Sequence, residues 1–398
     1  MSSRIRLGDK QMAVLLATMT AIMPLSVDAY LPAIPALAHD LGSDIHHIEK
    51  SLSSFMFGVA LGQLTGGSLS DVKGRRAVAL GGLALYIVSS LAIALAQTAD
   101  QLLLLRVFQA VGGGMSVVMS GAVVRDFYEG RQAAQMFAMI GIVMMAAPLA
   151  APMLGSLLQQ LGGWRLIFAF LMVYAAAVFA LLWQFLPKSG GNGGRLDRHF
   201  FAGMLARYRT VLRTKPALGF LFFQAFSFSS MFVFLTESPF VYMKLYGLAP
   251  GQYAAVFACN ILTMATFNRV TAWRLKRGSN AEDILLWGLG VQLAANAVMF
   301  ALALFSDGLP PFALIVACAM LSVGTMGLIT ANTQACFMSF FKQEGGTANA
   351  VLMAGSSMIA ATVGWLTTVL HNGSLMIMPS LMLCATLTGI ALLWLCSR

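Results

Sequence analysis

Gly67-Ser68-Leu69-Ser70-Asp71-Val72-Lys73-Gly74-Arg75-Arg76-Ala77-Val78-Ala79-Leu80 decides how the rest of the chain is read. Long apolar runs end on one side of it and begin on the other. Between them stand an acid, a glycine and three basic residues within six positions. Gly66 and Gly67 are poor helix formers, so a helix is expected to stop before Asp71, and Gly74 can take the positive φ of a tight turn. A carboxylate placed there can face the positive N-terminus of a neighbouring helix, while Lys73, Arg75 and Arg76 are expected at anionic headgroups. Taken alone, the same residues also fit an ordinary cytoplasmic turn whose basic residues only set topology.

Composition places that loop in a membrane protein. Hydrophobic residues make up 59% of the 398, charged ones only 10%, and mean hydropathy is +0.79, far from the balance of soluble domains. Apolar segments long enough to cross a bilayer recur from end to end. Spans are expected at about 11–35, 51–70, 77–97, 101–124, 134–160 and 164–187, then about 217–243, 251–273, 281–305, 311–335, 347–370 and 374–396. The fold class that follows is an all-α polytopic membrane protein. Its twelve transmembrane helices fall into two pseudo-symmetric six-helix halves, residues 1–187 and 217–398, joined by a Gly-rich, basic cytoplasmic linker at 188–216. Phe200 to Leu212 within the linker suits a short interfacial helix, with Arg207, Arg209 and Arg213 near the headgroups. The first span lacks a small-residue cleavage signal and reads as retained rather than as a signal peptide.

A net charge of +10 in a soluble protein points to nucleic acid; here it reports orientation. With both termini in the cytoplasm, only Lys50, Arg165 and Lys244 of the 25 Lys and Arg fall outside, and Arg106 falls within a span. That is the positive-inside pattern. The five cysteines lie in or at the ends of second-half spans, without zinc-ligand spacing, and imply neither disulfide nor metal. His39, His46 and His47 read as residues of a solvated outer loop. No G-x-x-x-x-G-K-[ST] loop is present to bind a nucleotide, and no nucleophile–base pair or metal cluster falls at membrane depth, so no cofactor and no enzyme chemistry are expected.

Ionisable residues inside spans are costly and mark function. Asp28 lies among Pro24, Tyr30, Pro32 and Pro35 in the first span, and Arg106 in the fourth. Both sit roughly 10 Å below the outer end of their span at 1.5 Å per residue, so they can share a layer, with Arg106 tuning the proton affinity of Asp28. Gln109 and Gly113 follow Arg106 on one face. In the fifth span Ala147, Ala151 and Gly155 form a small-residue face beside Pro148 and Pro152, suited to close helix contact and bending. In the seventh, Gly219, Phe223, Phe226, Ser230, Phe234 and Glu237 share a face. That stripe fits either packing or a cavity for partly apolar cations, with Glu237 biasing cargo by charge and cation–π contact.

Several of these stretches carry a family resemblance. The opening loop resembles the signature G-x-L-x-D-x-x-G-R-[KR] of the major facilitator superfamily, met by Gly67, Leu69, Asp71, Gly74, Arg75 and Arg76, with Val72 where a basic residue is common. The resemblance implies a latch between the two halves, Asp71 facing the start of the eleventh helix near Gly345–Thr347. The weaker echo at Arg274-Leu275-Lys276-Arg277-Gly278 lacks the acid. Leu25 to Pro32 looks like the acidic first-helix motif of proton-driven drug exporters, and Arg106 with Gln109 like their fourth-helix pattern. Ala110 replaces the usual glycine there, followed by Gly112, Gly113 and Gly114. The fifth span is similar to their Gly-Pro-x-x-Gly-Gly motif, with Ala151 and Ser156 at two glycine positions. Phe226 to Tyr242, Asn332 and Gly345-Gly346-Thr347-Ala348 look like the bicyclomycin/chloramphenicol-resistance (Bcr/CflA) type.

The resemblance implies a monomeric, proton-coupled exporter of small, partly apolar drugs in a bacterial inner membrane, with lipid, protons and a small molecule as partners and no nucleic acid. Asp28 and Arg106 would couple protons, and Tyr30, Gln109 and the seventh-span face would line the cavity. Export of a normal metabolite such as an amino acid or nucleoside is the alternative, and a non-transporting membrane sensor a more distant one. Orientation is directly testable: a fluorescent-protein fusion at the C-terminus should light up, and a periplasm-dependent phosphatase fused there should stay inactive. The opposite pair of results would reverse the topology.

Overall fold

A computed structural model describes residues 8–128, 130–187, 198–306, 308–341 and 345–397. Among these the secondary structure is helical: α1 (Asp9–Asp28), a 3-10 turn (Leu31–Ala33), α2 (Ile34–Asp40), α3 (Ile45–Lys73), α4 (Arg75–Ala94), α5 (Ala99–Phe127), α6 (Gly130–Phe185), α7 (Arg198–Arg213), α8 (Lys215–Ser238) continued by a π-helical turn (Pro239–Leu245), α9 (Pro250–Lys276), α10 (Ala281–Phe305), α11 (Phe312–Gly324), α12 (Met326–Met338), α13 (Gly345–Leu370) and α14 (Ile377–Ser397). All twelve expected spans are accounted for. Nine stretches of the described residues are long and apolar enough to cross a bilayer, one of them the double-length Met139–Phe185. The other two spans are α3, rich in Ser and Gly, and α9, with Gln252, Asn260 and Asn268, whose polar positions lower their hydropathy. Leu161 and Phe305 are 71% and 81% exposed, which suits lipid and not water.

The punctuation is local. Pro32 and Pro35 sit in the first positions of the 3-10 turn and of α2, so the first span breaks after Asp28 and restarts. Gly162 and Gly163 are non-helical, Gly163 at φ +73°, and divide α6 into two helices. The expected stop before Asp71 does not occur: α3 runs on through Gly66, Gly67 and Asp71 to Lys73, and Gly74 at φ +88° ends it. Gly66 serves close approach instead. A Cβ there would lie 2.8 Å from the Met115 Cα, and a one-residue propensity loss of about 1 kcal/mol is easily outweighed by packing.

Chain contacts divide into two compact units, Met1–Ser43 with Ser54–Leu205, and Asp44–Ser53 with Ala206–Arg398. In the first, α4 lies on α5 and α6 on α1. Backbones touch at glycines: a Cβ at Gly58 or Gly62 would stand 2.4 Å from the carbonyl oxygens of Val107 and Val111, and one at Gly112 2.4 Å from that of Gly82. Ala110 still packs at Gly58, and Gly112 and Gly114 carry the close approach further along the fourth span. In the second unit α8 packs on α13 and α14, and Val211 of α7 joins a core of Leu221, Phe337 and Leu352. The helix expected at the interface is α7, and Val211 anchors it on this core, with Arg209 and Arg213 exposed. The linker residues 188–197 lie outside the described part.

Gly155 is the tightest joint. Its Cβ would fall 1.6 Å from the carbonyl oxygen of Ala29, so α6 rides on the backbone next to Asp28, with Ala151 fully buried a turn earlier. Gly155→Leu should lower stability by at least about 1–3 kcal/mol through overpacking, read as a fall in apparent melting temperature in detergent. Gly81→Ala, where a Cβ meets nothing within 4 Å, should leave it unchanged or raised; equal effects would refute the contact.

Candidate functional site

The first unit holds a buried polar network centred on Arg106. Its guanidinium is fully buried. Nη1 donates to Gln109 Oε1 at 2.8 Å and Nη2 to the Ser26 carbonyl at 2.9 Å. Gln109 Nε2 donates to Ser90 Oγ at 2.8 Å, and Ser26 Oγ pairs with the Tyr86 hydroxyl. The planar cation is caged by Phe55, Tyr30 and Phe168, at 4.2, 4.5 and 5.8 Å from their ring centroids. A strongly hydrated ammonium could not make the same forked and stacked contacts.

Asp28 is the last residue of α1 and 6% exposed. Among the described residues its carboxyl has neither a hydrogen bond nor an ion pair. Arg106 does not pair with it directly; it grips the chain on both sides, at the Ser26 carbonyl and the Tyr30 ring. An acid at the C-terminal end of a helix also opposes the macrodipole. Neither feature stabilises the fold, which is what marks a functional acid. Tyr30 and Gln109, both in contact with Arg106, are fully buried.

The loop residues act within this unit. Arg75 Nε donates to Asp126 Oδ2 at 3.1 Å and Nη1 bonds Ser70 Oγ. Arg76 is buried rather than at the headgroups: it bonds the Trp183 carbonyl and sits 5.3 Å from that ring, because α4 begins against the end of α6. Lys73 is exposed as expected, and a Cβ at Gly67 would meet nothing. The expected approach of Asp71 to Gly345–Thr347 lies outside the described side chains. Pro148 and Pro152 both fall inside α6.

In the second unit the seventh-span stripe is largely interior. Phe223 packs with Leu285 and Ile329, Phe234 with Phe257 and Tyr242 at 6.2 and 6.0 Å, and Phe226 is half-buried against Gly389. Ser230 accepts from Asn296 Nδ2 at 3.1 Å, which also reaches Thr386 Oγ1 at 2.9 Å. Asn296 and Gln292, both fully buried, escaped the sequence reading; two amides four residues apart in an apolar span were the available signal. Glu237 is fully buried and paired with His371 Nδ1 at 3.0 Å, not open to an aromatic cavity. His46 is likewise not a solvated loop residue: it lies in the first turn of α3, half-buried against His371.

The sequence profile described as Major Facilitator Superfamily matches residues 16–365. The chain is 29% identical over 350 residues to a bicyclomycin resistance protein homolog of Haemophilus influenzae, covering 88% of this chain and 86% of the relative. It is 32% identical over 292 residues to a chloramphenicol resistance protein of Pseudomonas aeruginosa, covering 72% and 67%. Multidrug resistance protein MdtL of Shigella flexneri is 27% identical over 362 residues, 86% of each. Among solved structures, a D-xylose–proton symporter superposes with TM-score 0.73 at 13% identity, covering 95% and 96%. A bacterial homolog of the lysosomal transporter Spinster does so with 0.70 at 14%, covering 98% and 96%.

The Arg106 network yields a stability test. Gln109→Ala strips an acceptor from a buried cation and should cost about 1–3 kcal/mol, whereas Gln109→Glu keeps an acceptor and should lose less. Apparent melting temperatures in detergent would separate the two; equal losses would argue that Gln109 only fills space.

Proposed function

The chain belongs to the Major Facilitator Superfamily, a multi-pass membrane transporter and not an enzyme, and from that premise we propose that it exports small, partly apolar drugs in exchange for protons. Asp28 carries the reading. Deprotonated, it is a buried carboxylate without a partner; taking up a proton removes that cost. Proton binding then favours whichever transport state buries Asp28, which is what a coupling residue must do. Arg106 fixes the residues on either side of Asp28 and so sets where that charge comes and goes.

The drug class is supported by relatives whose names specify bicyclomycin, chloramphenicol and multidrug resistance. Tyr30 and Gln109 around Arg106, and Phe223, Phe226, Ser230 and Phe234 on α8, are the candidate cargo contacts, rings and polar groups of the kind that accept varied apolar molecules. The family resemblance also supports a latch at Gly67–Arg76. Arg75 and Arg76 are engaged within the first unit, which leaves Asp71 as the group through which the loop would act. A monomer in a bacterial inner membrane with both termini in the cytoplasm completes the proposal.

The test is transport by purified protein in liposomes under an imposed pH gradient, with bicyclomycin and chloramphenicol as cargo. Wild type should move cargo against proton flow. Asp28→Asn should lose at least tenfold of gradient-driven transport at unchanged yield and melting temperature. Full gradient-driven transport by that variant would remove Asp28 from the coupling role. Proton movement with amino acids or nucleosides, and none with the drugs, would make the protein a metabolite exporter.

A further inference from the structure

The second unit contains a cluster that coupling through Asp28 does not use. Glu49 of α3 is fully buried, its Oε2 2.9 Å from His46 Nδ1 one turn earlier. Glu237 of α8, also fully buried, lies with Oε2 and Oε1 3.0 and 3.3 Å from Nδ1 of His371, the residue after α13. The two imidazoles are stacked face to face, centroids 3.3 Å apart and planes 28° apart. Phe240 stands edge-on to His371 at 4.5 Å and against His46 at 4.9 Å. Two buried carboxylates each hold one imidazole, and the imidazoles lie on each other.

Two atoms are left over. Glu49 Oε1 and His371 Nε2 are buried with no hydrogen-bond partner among the described residues, and the His371 side chain is only 3% exposed. Such orphans are rare in folded proteins. Protonation does not settle the cluster easily either. Two carboxyls and two imidazoles share the cluster, and imidazoles in van der Waals contact cannot both become cations without like-charge repulsion. Of the charged groups around it, Asp44 adds a further negative charge and caps α3, accepting the His47 backbone N–H at 2.8 Å, which holds its carboxyl below the usual range. Lys50 and Lys244 are the cations; Lys244 Nζ sits 5.5 Å from the Phe240 ring centroid. Neither forms an ion pair with Glu49 or Glu237 among the described residues.

We propose that His46, His371 and Glu237 bind one divalent cation of the Zn²⁺, Co²⁺ or Ni²⁺ class, with Glu49 orienting His46. One donor atom from each of the three lies within 4.8 Å of the others. Metal–ligand bonds of about 2.0–2.1 Å at tetrahedral angles place donors about 3.3 Å apart, so the site closes through a shift of up to about 1.5 Å, with the stacked rings turning so that both nitrogens face the ion. Two imidazole nitrogens with a carboxylate suit this class, whereas Mg²⁺ and Ca²⁺ take oxygen donors. Glu49 against His46 Nδ1 is the outer carboxylate that fixes the tautomer of a metal-binding histidine. His371 turns Nδ1 toward Glu237, so Nδ1 is its ligand atom and Nε2 carries the ring proton, and His46, 21% exposed, gives the ion its way in. The proposal stands whatever the protein carries.

The experiment is a Co²⁺ titration of the full chain, freed of any affinity tag, in detergent, followed by visible absorption and by displacement with Zn²⁺. One Co²⁺ per chain is expected, with bands of low-coordinate nitrogen/oxygen ligation that Zn²⁺ abolishes. Affinity should fall at least tenfold in His371→Ala and Glu237→Gln. His46→Asn, at the more exposed position, should do the same and guards against misfolding of the buried variants, each checked by melting temperature. His39→Ala and His47→Ala should bind as wild type. Absence of Co²⁺ binding, or equal binding by all variants, overturns the site. Absence of metal binding together with a shifted pH profile of transport in His46→Asn would also overturn it and make the cluster a proton store.

Discussion

A guanidinium with no exposure to solvent has to find its partners inside the protein, and in the first unit that demand organises four spans, α1, α3, α5 and α6, with Nε left without a partner among the described residues. Arg106 on α5 has no carboxylate partner among the described residues; it uses a side-chain amide, a backbone carbonyl and three aromatic faces instead. Removing water from such a cation costs several kcal/mol, so each contact is held firmly. Because one of them is the Ser26 carbonyl and another the Tyr30 ring, the network fixes the short break in which Asp28 lies while leaving its carboxyl unengaged. The acid is positioned by its neighbours and has no partner among the described residues.

Lipid offers no hydrophobic drive for helices to associate, so dispersion at close range has to supply it. The glycines of this chain are placed accordingly. Gly58, Gly62 and Gly66 bring α3 onto α5, Gly82 and Gly112 bring α4 onto α5, and Gly155 brings α6 onto Ala29. The last contact joins packing to chemistry, since any side chain at Gly155 would push against the residue next to Asp28. The prolines of the first span, and those within α6, tune the same region by freeing carbonyls.

The two units handle buried polarity differently. The first is built on a cation caged by rings. The second distributes neutral amides, Asn296 and Gln292, among hydroxyls and carbonyls of α8 and α14, and keeps its buried acids against histidines. Asp28 is without a partner among the described residues, as the proposed proton exchange requires. Glu49 and Glu237, each already on an imidazole, suit a site that holds a cation in place. The difference lies in partners, not in depth or burial.

What the sequence alone determined follows from terms that are local or additive along the chain. Apolar run length and the distribution of Lys and Arg give twelve spans and their expected orientation, and an acid and a base inside apolar spans single out Asp28 and Arg106, because burying charge is costly wherever it occurs. Motif spacing gave the family. What only tertiary structure decided is which groups meet. No pattern tells that Arg106 takes Ser26 and Tyr30 rather than Asp28, or that Gly66 is there for Met115 and not to end a helix. Least of all does it tell that His46, Glu49, Glu237 and His371, spread over more than three hundred positions, converge within hydrogen-bond reach. Pairing energies depend on distances between segments remote in sequence, and those distances exist only once the helices have packed.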